Sequence, residues 1–491
     1  MAFTKAPTQD TYSSERVNLF REMAFRDGGD SGKDEDYLNV FMEPVRQSKL
    51  NDTRRFIIKR SGIVNAVASP GAAIRGMYYW ADQSKLFYCA GRNIYVYNVN
   101  TNSTTTLTNV FTTSSGTVGM CEYLYDTGVV VICATDGTAT SGLVTIDSAN
   151  TVTTCADVDL PTHLPYPVFL DGYLFLAKAN SADVYNSDLN NPLSWTTTGV
   201  ITAEMEADLV VRIAKINNYL IVFGKESIEY FWDASEPAPG SPMLRNDTPI
   251  KINSYLGGFA NYGNVIYYIG QDAGGQPDIF KLKDFKIDQI GTPAVSRYLD
   301  SATDGIANWT GNIVSEQGHT FYIITAGTSK TFVCDVEQML WTRWAFQNGN
   351  TFDIFKSAMG ASTTNTRTYF ALVGSSSPIY YLDKAIYQDD GVAFTCKITT
   401  ENNDFGTLNR KTMSRLSFIG DRPPIDASMT IQWSDDDYQS FNTGVTVNLN
   451  QDNAAIYRMG SFRQRIFKLT FSANTLFRVQ DLEVNINKGA S

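Results

Sequence analysis

Leu86-Phe87-Tyr88-Cys89, a turn at Gly91, then Ile94-Tyr95-Val96-Tyr97: this apolar hairpin decides the fold, because it recurs along the chain. Tyr219 to Phe223 turns at Gly224 into Ile228-Glu229-Tyr230-Phe231. Val265 to Ile269 turns through Gly270, Gly274 and Gly275 into Ile279-Phe280-Lys281-Leu282, and Tyr369 to Val373 turns at Gly374 into Ile379-Tyr380-Tyr381-Leu382. Seven leading strands open at Leu86, Val129, Tyr173, Tyr219, Val265, Phe321 and Tyr369, at steps of 43 to 56 residues. Aromatic and β-branched runs punctuated by glycine read as strand-turn-strand. A self-similar period of roughly 40–50 residues with four short strands per unit marks a β-propeller. The spacing fits seven blades, or six with one extra hairpin.

Outward from the repeats the grammar changes. Residues 1–70 carry a polar, glycine-rich stretch from Asp27 to Asp36 and the basic apolar run Arg54-Arg55-Phe56-Ile57-Ile58-Lys59-Arg60. Residues 71–390 hold the propeller, interrupted where Thr292-Pro293 precedes Ala294 to Leu299, an N-cap with Pro at the first helical position. That helix accounts for the longest step. Residues 391–491 show longer strands: Phe394 to Thr400, Ser414 to Ile419, Met429 to Trp433, Val445 to Leu449, Ile466 to Phe471 and Leu482 to Ile486. Their spacing suits a sandwich. Since a propeller brings its two ends together, the expected architecture is all-β: a propeller of six or seven blades, plus a β-sandwich-like platform built from the N- and C-terminal segments.

Composition narrows the function. A net charge of −11 argues against binding nucleic acid by phosphate neutralisation, which needs clustered Lys and Arg. Cys89, Cys121, Cys133, Cys155, Cys334 and Cys396 show no CxxC spacing, and several sit inside strands as small apolar groups, so reduced thiols are expected. The N-terminus lacks the basic and apolar regions of a secretory signal, and the longest apolar run, Val129 to Ala134, falls far short of the roughly 20 residues of a membrane span. The expectation is a soluble protein made in the cytoplasm of its host cell, with no membrane insertion.

The search for chemistry ends without a catalytic set. The two histidines, His163 and His319, have no partner at metal spacing, and no Gly-x-Ser-x-Gly supplies a nucleophile. Glu204 and Glu206 lie two apart on one strand face, and Asp435-Asp436-Asp437 lies in a turn. A glycosidase needs carboxylates converging across a bond, which proximity in sequence does not supply. The Asp27 loop places Gly29, Ser31 and Leu38 where an EF-hand needs ligands, so it fails as a calcium loop. Ala326 to Thr331 lacks the Gly-Lys-Ser/Thr order of a phosphate loop. No enzyme activity, metal or cofactor is expected.

Glu15-Arg16-Val17-Asn18-Leu19-Phe20-Arg21-Glu22, Lys59-Arg60-Ser61-Gly62-Ile63, Val222 to Phe231, the Thr292-Pro293 helix, Ile431-Gln432-Trp433-Ser434-Asp435-Asp436 and Tyr457 to Phe467 together resemble the packaged-DNA stabilisation proteins of short-tailed bacteriophages. The resemblance runs the length of the chain in order. Ser61 stands where that family usually has Pro, and Asp437-Tyr438 where two glycines are common. The resemblance implies a non-enzymatic structural virion protein, the tail hub or nozzle. Such a protein forms a hexameric ring below the portal and its adaptor protein, retains packaged DNA and docks tail fibres or tailspikes. DNA passes through the lumen without sequence-specific binding.

Basic residues cluster at the two ends of the chain: Arg54, Arg55, Lys59 and Arg60, then Arg410, Lys411, Arg415, Arg458, Arg463, Arg465 and Lys468. From these, Arg410, Arg415, Arg458, Arg463 and Arg465 are the candidates for subunit or adaptor contacts. The rival reading is a carbohydrate-binding or glycan-cleaving propeller acting in host-surface recognition, since aromatic-rich blades can stack sugars.

Overall fold

Among the described residues, seven antiparallel blades of four strands each follow one another along the chain, one carrying a fifth short strand and one continuing into a larger sheet, and the recurring hairpin is the second and third strand of each. The computed structural model describes residues 13–19, 35–44, 55–206, 208–236, 240–302, 309–326, 330–349, 351–362, 367–372 and 374–489. Blade one is Ile74–Trp80, Lys85–Ala90, Asn93–Asn98 and Ser103–Leu107. Blades two to five open with Gly119–Leu124, Val168–Leu170, Val210–Ile216 and Ser254–Tyr262, and blade six with Thr310–Glu316. Blade seven joins Met359–Ser362, Thr368–Ala371 and Ile379–Asp383 to a strand from far upstream, Gly62–Val67. That strand falls within the segment expected to belong to the platform, so the propeller begins before residue 71. It also closes the circle with hydrogen bonds between the two ends of the propeller.

Each pair of neighbouring blades encloses its own apolar core, seven in all. In Lys85–Ala90, Leu86 and Tyr88 face the core shared with blade seven, while Phe87 and Cys89 face the core shared with blade two. A strand buried on both faces reads as an unbroken apolar run, which is why these strands dominate the repeat. Full burial of a side chain such as Phe87 stabilises the fold by about 1.5–3 kcal/mol. Between blades five and six the helix Pro293–Ser301 sits as expected. Thr292 Oγ1 accepts from the Val295 amide at 3.4 Å, and Val295 and Leu299 enter the adjoining core. Gly270, read as part of a turn, instead lies inside the strand Val265–Gln271, and the turn follows it.

The platform is two sheets over one core. Ser13–Asn18, Val40–Pro44, Arg55–Lys59, Lys411–Gly420, Ala455–Tyr457, Ser461–Phe462 and Arg478–Lys488 form the first. The second is an outgrowth of blade six, whose outer strand Leu340–Asn348 pairs in parallel with Asp36–Leu38. Cys396–Thr399, Ile466–Phe471, Ser428–Ser434 and Val445–Asn448 then extend it, and with Thr351–Ile354 paired to Leu340–Asn348 the sheet has ten strands. Asn39, at φ 57°, is the left-handed residue at which the chain leaves one sheet for the other, a conformation Asn tolerates better than most residues. Propeller and platform thus share a continuous backbone hydrogen-bond network.

Candidate assembly surfaces

The joint between the two parts is built on Arg60. Its side chain is fully buried, and its Nη1 and Nη2 donate to Asp389 Oδ1 and Oδ2 at 2.8 and 2.6 Å. The Nε donates to Asn39 Oδ1 at 3.0 Å, and the remaining donors reach the carbonyls of Ser61 and Ala345. The guanidinium lies 3.9 Å from the Phe394 ring centroid. Beside it the Lys59 Nζ donates to the carbonyls of Tyr387 and Ala473, and burial pushes this ammonium down to about 8. Ser61, in the place where Pro is usual, is also buried. Its Oγ donates to Glu316 Oε1 at 2.7 Å and accepts from Gln317 Nε2 at 2.8 Å.

Arg465 does not reach the surface. It turns inward and forks onto Asp435, with Nε–Oδ1 and Nη2–Oδ2 both 2.7 Å, while Nη1 donates to the Met459 carbonyl. Phe462 covers it at 4.1 Å. This removes Arg465 from the set of surface contacts, because a buried bidentate pair leaves no donor for a partner. It also joins the Trp433-to-Asp436 turn to the strand that begins at Ile466. In that turn Asp437 and Tyr438 have φ of 57° and 64°. Glycine is the residue that takes such angles without strain. Tyr438 is held there by its Oη, which donates to the Thr400 carbonyl at 2.9 Å.

The other four arginines gather along Lys411–Gly420 and its two short partner strands. Arg410 Nε and Nη2 donate to Ser461 Oγ, Arg415 Nη2 to Asn453 Oδ1, and Arg463 Nη1 to the Leu408 carbonyl. Arg458 is exposed at φ 60°. Among the described residues none of these four meets a carboxylate. Leu408 and Tyr457, 61% and 56% exposed, lie in the same region. Lys411 points inward, donating to the carbonyls of Thr407 and Asn409. The Lys468 ammonium covers the Phe441 ring at 3.6 Å. Arg54, most of the Asp27 loop and residues 327–329 lie outside the described residues.

The remaining polar groups singled out in the sequence hold the fold together. His163 bridges blades two and three, its Nε2 2.6 Å from Thr135 Oγ1 and its Nδ1 2.8 Å from the Pro161 carbonyl. Burial lowers its pKa. His319 Nδ1 lies 2.7 Å from Asp335 Oδ2, against Phe41 of the platform. Glu206 pairs with Lys251, and Glu204 is exposed. Asp436 accepts from Ser440 and Ser434, which hold its carboxyl down at about 2. All six thiols are free, and among the described residues no group of three or more His, Cys, Asp or Glu is placed to hold a metal. No described helix is long and apolar enough to cross a membrane.

Residues 23–350, more than half of the chain, match the model of the family described as bacteriophage P22 Gp10, beta-propeller. No curated protein matches the sequence. Among solved structures, the chain is similar to a chain of the mitotic checkpoint complex, with 12% identity and TM-score 0.42 over 70% of this chain and 97% of that one. It is similar to the Neurospora crassa Pan2 WD40 domain, with 9% identity and TM-score 0.41 over 68% and 98%. The N-terminal domain of Nup159 gives 13% identity and TM-score 0.39 over 70% and 98%. The family match spans blades one to six, together with the N-terminal strands that build the joint. The chain therefore belongs to the bacteriophage P22 Gp10 β-propeller family, phage structural proteins of the DNA-stabilising type.

Proposed function

We propose that this chain is the subunit of a ring-shaped tail hub, or nozzle, below the portal–adaptor complex of a short-tailed phage. In that place it retains packaged DNA and forms the conduit for genome ejection. The family match through the propeller carries this reading. The platform supports it physically. A subunit that transmits load needs its parts locked together, and the ten-stranded sheet and the Arg60–Asp389 pair provide that lock. A ring-forming or adaptor-binding face needs charges that its own fold does not neutralise. Arg410, Arg415, Arg458 and Arg463 meet that requirement, with Leu408 and Tyr457 as exposed apolar contacts nearby. The net charge of −11 suits a lumen along which DNA slides, since basic walls would hold it through counterion release.

In this account the ring is hexameric, its upper contact is the adaptor protein, and fibres or tailspikes dock on its outside. It has no catalytic role. The test is a phage carrying Arg410→Glu and Arg463→Glu together. Purified particles are expected to lack this protein and to lose DNA on storage, while the isolated variant folds normally. Particles with normal protein content and DNA retention would exclude this edge as the assembly surface.

A further inference from the structure

The fully buried guanidinium groups in this protein, those of Arg60, Arg75 and Arg465, spend their donors within the fold, whereas Arg212 is half-buried. Arg75 spends its donors on the carbonyls of Gly91, Thr113, Ser115 and Gly116 and on Thr113 Oγ1, while Arg60 and Arg465 fork onto aspartates. Arg212 differs. It lies in Val210–Ile216, the inner strand of blade four, and lines the axial cavity of about 1230 Å³ that the inner strands of all seven blades enclose. Its guanidinium carbon is 4.1 Å from the Tyr166 ring centroid and 3.7 Å from that of Phe259, rings supplied by the approach to blade three and by blade five. With aromatic rings over its faces, the group can form hydrogen bonds only in its own plane. The neutral Tyr255 hydroxyl lies against the guanidinium as a hydrogen-bond partner, the Nε is buried without one, and among the described residues Arg212 forms no ion pair.

The surroundings leave that charge uncompensated. Besides Arg212, the charged residues lining the cavity are Lys215 and Glu122. Glu122 Oε1 accepts from the Tyr78 hydroxyl at 3.2 Å, burial raises this carboxyl's pKa, and it forms no ion pair with Arg212. A cation screened from water by rings and lacking a counter-ion binds an oxyanion more strongly than an exposed one, because less hydration is lost. Its planar fork matches two oxygens of a carboxylate or a phosphate. The cavity has room for more than the anionic group alone.

We propose that the axial cavity of the propeller is an oxyanion site, with Arg212 as its binding residue and a carboxylate or phosphate as its ligand. Tyr166 and Phe259 hold the guanidinium in place, so that its orientation is set before the anion arrives.

Calorimetric titration of the full chain with sodium phosphate and, separately, with sodium succinate tests this, with ionic strength held constant by chloride. Saturable binding of either anion is expected, about tenfold or more weaker in Arg212→Gln, and weakened also in Arg212→Lys, which keeps charge but loses the fork. The anion that binds more tightly identifies the source, a phosphate-bearing or a carboxylate-bearing ligand. Phenylglyoxal labelling of the wild-type protein gives a readout independent of variant folding. The preferred anion is expected to protect Arg212 while leaving Arg458 reactive. No binding of either anion, equal binding by folded Arg212→Gln, or unchanged labelling of Arg212 would overturn the proposal.

Discussion

Replacing Arg60 with Met and Asp389 with Leu, singly and together, probes the joint on which the rigid-subunit picture rests. Both side chains are 1% exposed, and Arg60 gives two hydrogen bonds to the carboxylate. Removing one member leaves the other charge buried and uncompensated, at a cost of about 3–5 kcal/mol. Removing both eliminates the stranded charge. What remains are the polar groups that Arg60 and Asp389 also served: Asn39 Oδ1, the Ser61 and Ala345 carbonyls and the Ile63 amide. The double variant is therefore expected to cost less than the two singles summed, by about 2 kcal/mol or more. For 491 residues unfolding as one unit, the entropy of unfolding is about 1 kcal/mol/K, so each single variant lowers Tm by about 3–5 °C. Urea unfolding followed by tryptophan fluorescence and by far-UV circular dichroism measures the cycle. Coupling below about 0.5 kcal/mol would refute the reasoning, since independent sites add to within that margin.

Other expectations follow from individual residues. Burial raises the thiols of Cys133 and Cys334 and pushes Cys89 and Cys396 up to about 12. Their contribution is complete below the unfolded value near 9 and is lost above it at about 1.4 kcal/mol per pH unit for each group. Lys59 acts oppositely between about 8 and 10.5, so urea midpoints should change little from pH 8 to 9 and then fall steeply. His163, lowered by burial, binds protons more readily unfolded, so stability is lost as pH falls below 6.5. A Tm that drops between pH 7 and 5.5 less in His163→Gln than in wild type would show this. Gly76→Ala places a Cβ 2.0 Å from the Val118 carbonyl oxygen and should destabilise by about 1–3 kcal/mol, read from the urea midpoint. Arg458→Gly relieves a left-handed residue, so the isolated chain should gain about 0.5–1 kcal/mol while assembly weakens, measured by thermal unfolding and by sedimentation.

The propeller was legible because its middle strands are buried on both faces and repeat. The outer strands carry little of that signal: Ser103–Leu107 is Ser-Thr-Thr-Thr-Leu and almost wholly exposed. Blade closure was hidden, since Gly62–Val67 pairs with Ile379–Asp383 across more than 300 residues and no local pattern announces such a partner. The Thr292-Pro293 helix and the C-terminal strands were readable from local chemistry, most boundaries falling within about two to four residues. Charge was the misleading signal. Arg463 and Arg465 share a parity and would share a face in a strand, but the strand begins only at Ile466, so one is exposed and the other buried. Arg60 and Asp389 lie 329 residues apart, and Arg212 is distinguished only by what surrounds it. The sequence left open the turn type after Asp436, where Asp437-Tyr438 stands in place of two common glycines; the backbone there is left-handed at both residues.

The most direct test of the tail-hub account is electron microscopy of the purified full-length protein with its cognate adaptor ring, counting rotational symmetry. The account predicts six-fold rings with a central channel wide enough for a DNA duplex, each subunit contributing its platform to the ring contacts. Monomeric propellers that remain dispersed beside intact adaptor rings at high concentration would contradict it.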